Sequence, residues 1–552
     1  MVFLAMLSTN LQQRRLKNSY VTDDGLLVLS QEIEEGNIEY KLQLINLSAG
    51  KIEQLASQMK WRINEGNGEA LYIIGISDNG FPEGISNEYL NESHRSLKEM
   101  TKLIKAKASV ICERKGKNGY LREFLIREKN NNKYIDIRIV LLGDNAAGKS
   151  TLVGVLCRGD LDDGKGSMRM YCFNHQHELE SGETSSLSHQ ILGFDTEGNC
   201  VNNETLYEKK WGEIVEESHK IISFLDLPGR PSSRKTTISA ISGRLPDYAF
   251  IVIDSPRGMT QTTQEYWNLC AELGILVIVI ITKTDMNDSK FEEQIKNYLN
   301  LRKHFYSGYT IINNNSKQSR GILTNITGMI KTRIVPIFLV SNTTGEGISI
   351  LKKFLNLLPQ CADWSRFDKN PSEFRIDKAS FIEGIGTIVG GITTQGKIIN
   401  KNTLSLGPNT EGKFKDVSIS SIYRNYQSVD EIKTGQTGTI CLKGIGTSFV
   451  KRGMVLIDEK MPKKAYWKFV ASVTILYHTL QPNKKYQPII HCLTIRQPAK
   501  ITNIKNKKGL KTSDRTQLTF KFMQKPEYIK SGMKVIFNGN RCKGIGTIIK
   551  VF

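Results

Sequence analysis

Between residues 36 and 133 short apolar runs alternate with segments of helical period. YKLQLINL (Tyr40–Leu47) reads as a strand and GKIEQLASQMKWRINEG as an amphipathic helix ending near Gly66 and Gly68. ALYIIGIS reads as a strand, residues 88–107 as a second helix, and ASVICER and YLREFLIR as two more strands. The pattern predicts a small α/β domain over 36–133 that closes on the linker EKNNNK (Glu128–Lys133). From 134 to 360 five continuous apolar runs, YIDIRIVLLG, IISFLDLPG, YAFIVIDS, ILVIVIITK and VPIFLVS, are separated by helical segments. Runs without polar alternation are strands buried on both faces, which predicts a doubly wound, mainly parallel sheet of the α/β class. Residues 359–373, with Pro359, Pro371 and a Trp364 expected at the surface, read as a linker. Beyond Phe374 the helical period disappears, and short strands with Gly turns predict two β-barrels, 374–460 and 461–552. The tetrapeptide GIGT recurs at Gly384, Gly444 and Gly544, too widely and unevenly for a solenoid, and reads as a reused barrel kink or turn. Residues 1–35 are expected to form a disordered arm, basic over the first 18.

Charge changes this picture at one end only. From Met461 to Phe552 there are 19 Lys and Arg against two acids, Asp514 and Glu527, a net of +17, whereas the other 460 residues carry +4 of the total +21. A polyanion such as RNA is the natural partner of the second barrel. The nine Cys are scattered with no Cys-x-x-Cys pair, which disfavours a disulfide framework or a zinc site and favours a reducing compartment. The longest apolar run, Ile275–Thr282, is strand-sized, so no membrane span is expected. The opening MVFLAMLSTN lacks a basic flank, and the cytoplasm is the expected location.

Four short motifs carry chemistry. GDNAAGKST (Gly143, Asp144, Asn145, Ala146, Ala147, Gly148, Lys149, Ser150, Thr151) follows a predicted strand and opens a predicted helix, the context of a phosphate-binding loop. There the backbone N–H groups turn towards phosphates, Lys149 supplies positive charge to the β- and γ-phosphates, and the Ser150 hydroxyl can ligate Mg²⁺. DLPG (Asp226, Leu227, Pro228, Gly229) ends the next buried strand; Asp226 would hold the Mg²⁺ shell through water and the Gly229 N–H would touch a γ-phosphate. TKTD (Thr282, Lys283, Thr284, Asp285) ends a third strand, and a carboxylate there can accept from the N1 and N2 donors of guanine, a pair that adenine lacks. The stem of Lys283 would cover the base, and Ser341 and Asn342 of SNTTGEG are placed to back it.

This order of motifs followed by two barrels resembles the translational GTPases of the elongation factor Tu and elongation factor one-alpha type, and within them the GTP-binding protein 1 and 2 group. The stretches that carry the resemblance are Ser150 to Asn199, Cys492 to Ile501 and MKWRINEGNGEALYIIGISDNG, and it extends over about residues 36–552. It implies a monomeric GTP/GDP switch with Mg²⁺ that hydrolyses GTP. It also implies that the two barrels and the GTP-binding domain hold aminoacyl-tRNA and meet the ribosome. Thr184 of ESGETSS is implied as the switch threonine over Mg²⁺, and His175 and His177 as switch residues rather than a metal pair. His478 and His491 read as packing or RNA contacts.

Three departures from the family pattern stand near the chemistry. Arg230 occupies the position of the water-positioning His; Asn145-Ala146 replaces Val-Asp, removing a ligand for a monovalent cation; and Pro231, Ser232 and Ser233 replace longer side chains. Arginine has five donors and no acceptor, so it cannot orient water as His does, although placed as an arginine finger it could offset γ-phosphate charge. The expected catalytic set is therefore Lys149, Thr184 and Arg230, with slow intrinsic hydrolysis. Two readings stay open: a GTPase that cycles on ribosomes, and a GTP-locked factor that binds RNA or protein without turnover.

Overall fold

The computed structural model describes residues 20–21, 26–32, 35–128, 134–203, 209–286, 290–303, 305–312, 333–361, 364–478, 486–504, 514–539 and 542–552. At the start, β1 (Tyr20–Val21) pairs antiparallel with β2 (Leu27–Val28). The disordered arm expected through residue 35 is corrected here. Leu29 is buried among Tyr40, Ile73, Ile76 and Leu121, and its N–H donates to Gly80 O at 2.9 Å. Residues 1–19 lie outside the described residues.

Strands β3 (Ile38–Lys41), β4 (Glu69–Ile74), β5 (Ala106–Lys115) and β6 (Tyr120–Glu128) form one sheet in the order β3-β4-β6-β5. Helices α1 (Ala49–Glu65) and α2 (Asn87–Leu103) are capped by Ser48 and Ser86, whose hydroxyls accept from Lys51 N and Tyr89 N. Leu55, Ala56, Met59 and Ile63 make the apolar face of α1 and share a core with Leu90, Leu97, Tyr72 and Phe124. The strand expected over 40–47 stops at Lys41, because Leu44 N turns to the Ser93 hydroxyl at 2.9 Å instead of to a neighbouring strand. Leu71 and Leu125 contribute to the core of the next domain, so this sheet is covered on both faces.

That next domain is a seven-stranded sheet of β7 (Ile135–Gly143), β8 (Ser188–Phe194), β9 (Lys220–Asp226), β10 (Tyr248–Asp254), β11 (Leu276–Thr282), β12 (Gly308–Ile312) and β13 (Ile334–Leu339). The order is β12-β13-β11-β10-β7-β9-β8, parallel except for β8. The hydrophobic pattern marks the five inner strands and misses both edges; β8 opens on Ser-His-Gln and β12 is half-exposed along most of its length. Helices α3 (Lys149–Arg158), α4 (Gln176–Ser181), α5 (Trp211–Glu217), α6 (Arg234–Arg244), α7 (Gln261–Leu273), α8 (Lys290–Leu301) and α9 (Ile348–Leu357) complete the unit.

The first barrel is built from β14 (Glu373–Ile382), β15 (Gly386–Gln395), β16 (Ile398–Ile399), β17 (Thr403–Gly407), β18 (Lys415–Arg424), β19 (Gln427–Val429), β20 (Glu431–Ile432), β21 (Thr437–Lys443) and β22 (Val455–Ile457). Its ring β17-β22-β14-β15-β21-β18 closes through β17–β18 pairing. The second barrel closes as β23 (Lys468–His478), β26 (Arg515–Phe522), β25 (Ile495–Ile504), β24 (Ile489–Cys492), β27 (Lys534–Asn538) and β28 (Cys542–Val551). Trp364, expected at the surface, is buried with Leu245 and Ile392. Its ring presses on Gly435, where an added Cβ would fall 2.4 Å from it. GIGT serves as turns at Gly384 and Gly444, both with positive φ, but Gly544 lies inside β28.

Buried ions join the units. Lys220 Nζ donates to Glu69 Oε1 (2.5 Å), Asn356 O (2.7 Å) and Leu358 O (2.9 Å), while Arg127 holds the other Glu69 oxygen and Asn356. Between the barrels, Glu373 accepts from Arg375 (2.7 Å), Lys530 (2.6 Å) and Thr394 (2.9 Å). Burial alone would raise the Glu373 pKa, but Arg375 and Lys530 outweigh it and bring it from 4.5 to about 2. A depressed carboxylate stabilises the fold above its unfolded pKa and loses that contribution as pH falls towards its folded one. Glu373→Gln, which leaves buried Arg375 unpaired, is expected to cost about 3–5 kcal/mol at neutral pH. Denaturant unfolding checks this, with the difference from wild type shrinking as pH falls below 4.5.

Candidate nucleotide site

Register brings the four motifs to one edge of the sheet. Asp226 at the end of β9 stands beside Leu141 of β7, and Thr282 at the end of β11 beside Asp254 of β10. Ser341 and Asn342 follow β13. Loops after the carboxyl ends of parallel strands are where α/β sheets bind ligands.

After β7 the chain turns through Ala146, at φ 57°, and Gly148, at φ 81°, which begins α3. Lys149 is buried, and its ammonium donates to the carbonyls of Asp144 (2.7 Å) and Gly143 (3.3 Å). Burial lowers its pKa against the opposing pull of Asp226 and Asp144. Ser150 is the hub of an oxygen cluster: its hydroxyl donates to Asp226 Oδ2 at 2.6 Å and lies 2.7 Å from the Thr184 hydroxyl. Asp226 is fully buried, and its Oδ1 has no hydrogen-bond partner among the described residues. Burial raises its pKa to about 6, against the lowering effect of Lys149 and Ser150. Gly229 sits so close to the phosphate-binding loop that a Cβ would lie 2.7 Å from Asn145 N, Asp144 O and Lys149 Nζ. Leu227 and Ala147 place their side chains in the hydrophobic cores, so they can offer a ligand only backbone.

The segment that carries Thr184 is organised by a residue the motifs did not reveal, Glu178. Its Oε1 accepts from Ser185 N (2.6 Å), Ser186 N (2.9 Å) and the Ser185 hydroxyl (2.8 Å), and its Oε2 from Asn174 N (2.7 Å) and His175 N (3.0 Å). Burial opposes ionisation, yet the bonds from Ser185, Asn174 and Ser186 win and hold Glu178 at about 2. His177 Nε2 lies 2.7 Å from the Ser185 hydroxyl, and its ring stacks on His175, which places both histidines in this loop. Arg230 is engaged by a carboxylate of the segment that carries Thr184. It ion-pairs with Glu183, and Glu183 Oε1 accepts from Asn145 Nδ2 at 2.9 Å. Neither Glu178 nor Glu183 had a sequence signal that distinguished it from Glu180.

On the opposite side of the loop, the Thr282 hydroxyl donates to Ala147 O (2.8 Å) and Ile253 O (3.2 Å). Thr282 thus ties the third motif to the first. Lys283 reaches Ala146 O (3.1 Å) and Asp254 (2.7 Å), and Asp254 also holds Arg257. The Ser341 hydroxyl accepts from Thr344 N at 3.2 Å, and buried Asn342 has an Oδ1 with no hydrogen-bond partner among the described residues. Asp285 is exposed in the turn Thr284–Met286, and Thr151 is half-buried in the first turn of α3. His491 is fully buried in β24, with neither ring nitrogen hydrogen-bonded among the described residues; burial, then Arg496, Arg452 and Lys235, lower its pKa to about 3. Packing is its observed role; the side chain of His478 lies outside the described residues.

Residues 136–362 match the elongation factor Tu GTP binding domain family. The chain is 34% identical over 519 residues to GTP-binding protein 1 of Xenopus laevis, covering 93% of this chain and 79% of that one. It is 32% identical over 532 residues to GTP-binding protein 2 of Mus musculus, covering 95% and 88%. Among solved structures it resembles the apo form of translation elongation factor SelB from Methanococcus maripaludis, with a TM-score of 0.51 at 19% identity over 76% of this chain and 80% of that one.

Proposed function

The chain belongs to the elongation factor Tu-type translational GTPases, in the group of GTP-binding proteins 1 and 2, and from that membership we propose that it is a slow, Mg²⁺-dependent GTP switch that carries RNA on its second barrel. The observation that carries the reading is the oxygen cluster of Ser150, Thr184 and buried Asp226, with one Asp226 oxygen left for a further partner. An all-oxygen donor set suits Mg²⁺, with Ser150 and Thr184 as ligands and Asp226 acting through water. Held by these residues, the ion would supply positive charge to a nucleotide's phosphate oxygens.

The chain's own groups supply the rest. Gly143 to Thr151 form the phosphate cradle, and Lys149 provides a positive charge inside it. The Gly229 N–H and the backbone of Leu227 and Pro228 close the γ-phosphate side. Asp285 accepts from guanine, while Thr282, Lys283, Thr284, Ser341 and Asn342 frame the base. The side chain at 230 offers no acceptor to an attacking water and is itself held by Glu183, which supports slow hydrolysis. A GTP-locked, non-cycling factor is the second reading, favoured by the same pairing of Arg230.

RNA binding is supported by a lysine row on the second barrel. Lys468, Lys521 and Lys500 are direct neighbours across β23, β26 and β25, all exposed, while the flanking Phe469, Phe520, Phe522 and Ile501 face inward. Like charges opposite one another weaken strand pairing, so the row costs stability that a polyanion would offset. Lys468 and Lys550 both lie over the Phe552 ring, extending the basic face. Among the described residues no helix is long and apolar enough to cross a membrane. A monomer working in the cytoplasm with tRNA and the ribosome is the setting this reading implies.

Single-turnover hydrolysis tests the switch. Wild type is expected to be slow alone and faster with ribosomes, and Arg230→His to accelerate the ribosome-stimulated step by roughly tenfold or more. An unchanged rate would mean that residue 230 is not limiting. For the barrel, tRNA affinity is expected to fall steeply with salt, and Lys500→Glu with Lys521→Glu to flatten that slope by roughly two phosphate contacts. A salt-independent affinity would count against the charged face.

A further inference from the structure

Arg230, Glu183 and Asn145 come from three different loops of the nucleotide site: the one after β9, the one that carries Thr184, and the phosphate-binding loop. Their side chains meet. The Arg230 guanidinium pairs with one oxygen of Glu183, and the other oxygen of Glu183 accepts from Asn145 Nδ2 at 2.9 Å. Glu183 immediately precedes Thr184, whose hydroxyl lies 2.7 Å from that of Ser150. We propose that Arg230 and Glu183 form a latch, seated on Asn145, that holds Thr184 at the Mg²⁺ position, which makes Arg230 a positioning residue rather than a donor to the γ-phosphate.

Three features support this over an arginine finger. A finger must present its guanidinium to the phosphate, whereas this one is engaged by a carboxylate and half-exposed, with 53% of the side chain accessible. Asn145 and Arg230, both among the positions that depart from the family pattern, both hold Glu183. The loop is also pinned at its other end, where Glu178 receives the N–H groups of Ser185 and Ser186. Thr184 therefore sits between two carboxylate anchors, of which only Glu183 is shared with the other two loops. Every contact in the latch is between protein groups, so its strength does not require a γ-phosphate.

The consequence for binding follows from population arithmetic. A nucleoside triphosphate that needs Thr184 at Ser150 has its affinity reduced by whatever fraction of the protein has that loop open. The latch raises the closed fraction, and a diphosphate, which makes less use of Thr184, gains less. An accessible ion pair of this kind is worth roughly a fivefold shift in population.

This inference rests on the GTP-binding reading, and the test separates the two. Amide exchange over residues 183–186 is measured on the full chain without nucleotide, and GTP and GDP dissociation constants are measured with Mg²⁺. Glu183→Gln and Arg230→Glu are each expected to speed exchange at these amides and to weaken GTP by about fivefold with GDP changed much less. The exchanged pair Glu183→Arg with Arg230→Glu is expected to recover most of both effects, which a merely misfolded loop would not do. Exchange rates and a GTP/GDP ratio that stay at wild-type values in the single variants would overturn the latch. So would an exchanged pair that behaves like the sum of its parts. If wild type binds neither nucleotide, the nucleotide reading falls, and the exchange measurement still decides whether the latch exists.

Discussion

A fully buried carboxylate, Asp226, sets the terms for the rest of the molecule. Its strand, β9, is wholly buried, and burial raises its own pKa to about 6 by disfavouring the charged form. Ser150 satisfies one oxygen, and Lys149 is near enough to oppose the effect of burial. Holding that arrangement requires α3 to start where it does, the loop of Thr184 to fold back over it, and β9 to stay in register with β7. The opposite end of β9 is pinned as firmly: Lys220 is buried against Glu69 and the carbonyls of Asn356 and Leu358. The N-terminal α/β domain therefore fastens the strand whose far end carries Asp226.

The loop that follows this acid is coupled to both barrels. Helix α6 begins just beyond Arg230, and the Ser242 hydroxyl donates to Leu493 O of the second barrel at 3.1 Å. Arg244 at its end shares Asp377 of the first barrel with Arg452. His491, kept neutral by burial and by the cations Arg496, Arg452 and Lys235, packs in β24 beside this junction. The helix that follows residue 230 thus touches both barrels, which gives a latch at Arg230–Glu183 a physical route to them.

The inner architecture was legible because its physics is local. Strands buried on both faces must be continuously apolar, and loops that cradle phosphate must be rich in Gly and carry Lys and Ser at fixed offsets. The edge strands β8 and β12 were not legible, since β8 opens on the polar Ser-His-Gln and β12 is half-exposed, so neither keeps the apolar run that marks the others. Trp364 was misplaced because a linker composition says nothing about a ring that wedges against Leu245, Ile392 and Gly435. The motif residues converge at one edge of the sheet, but the groups that organise them do not announce themselves. Glu178 and Glu180 look alike in sequence, and only the fold shows which one receives six hydrogen bonds. The Glu183–Arg230 pair joins distant segments and has no spacing signature at all.

Asp226 and Ser150 are expected to hold a metal-bound guanine nucleotide. Titration of the full chain with GTP, in Mg²⁺ and in EDTA, for wild type and Asp226→Asn, measures this most directly. Wild type is expected to bind GTP tightly over ATP and less tightly in EDTA, and the variant to bind more weakly with no response to Mg²⁺. Equal affinity for ATP, or a wild type indifferent to Mg²⁺, would contradict this.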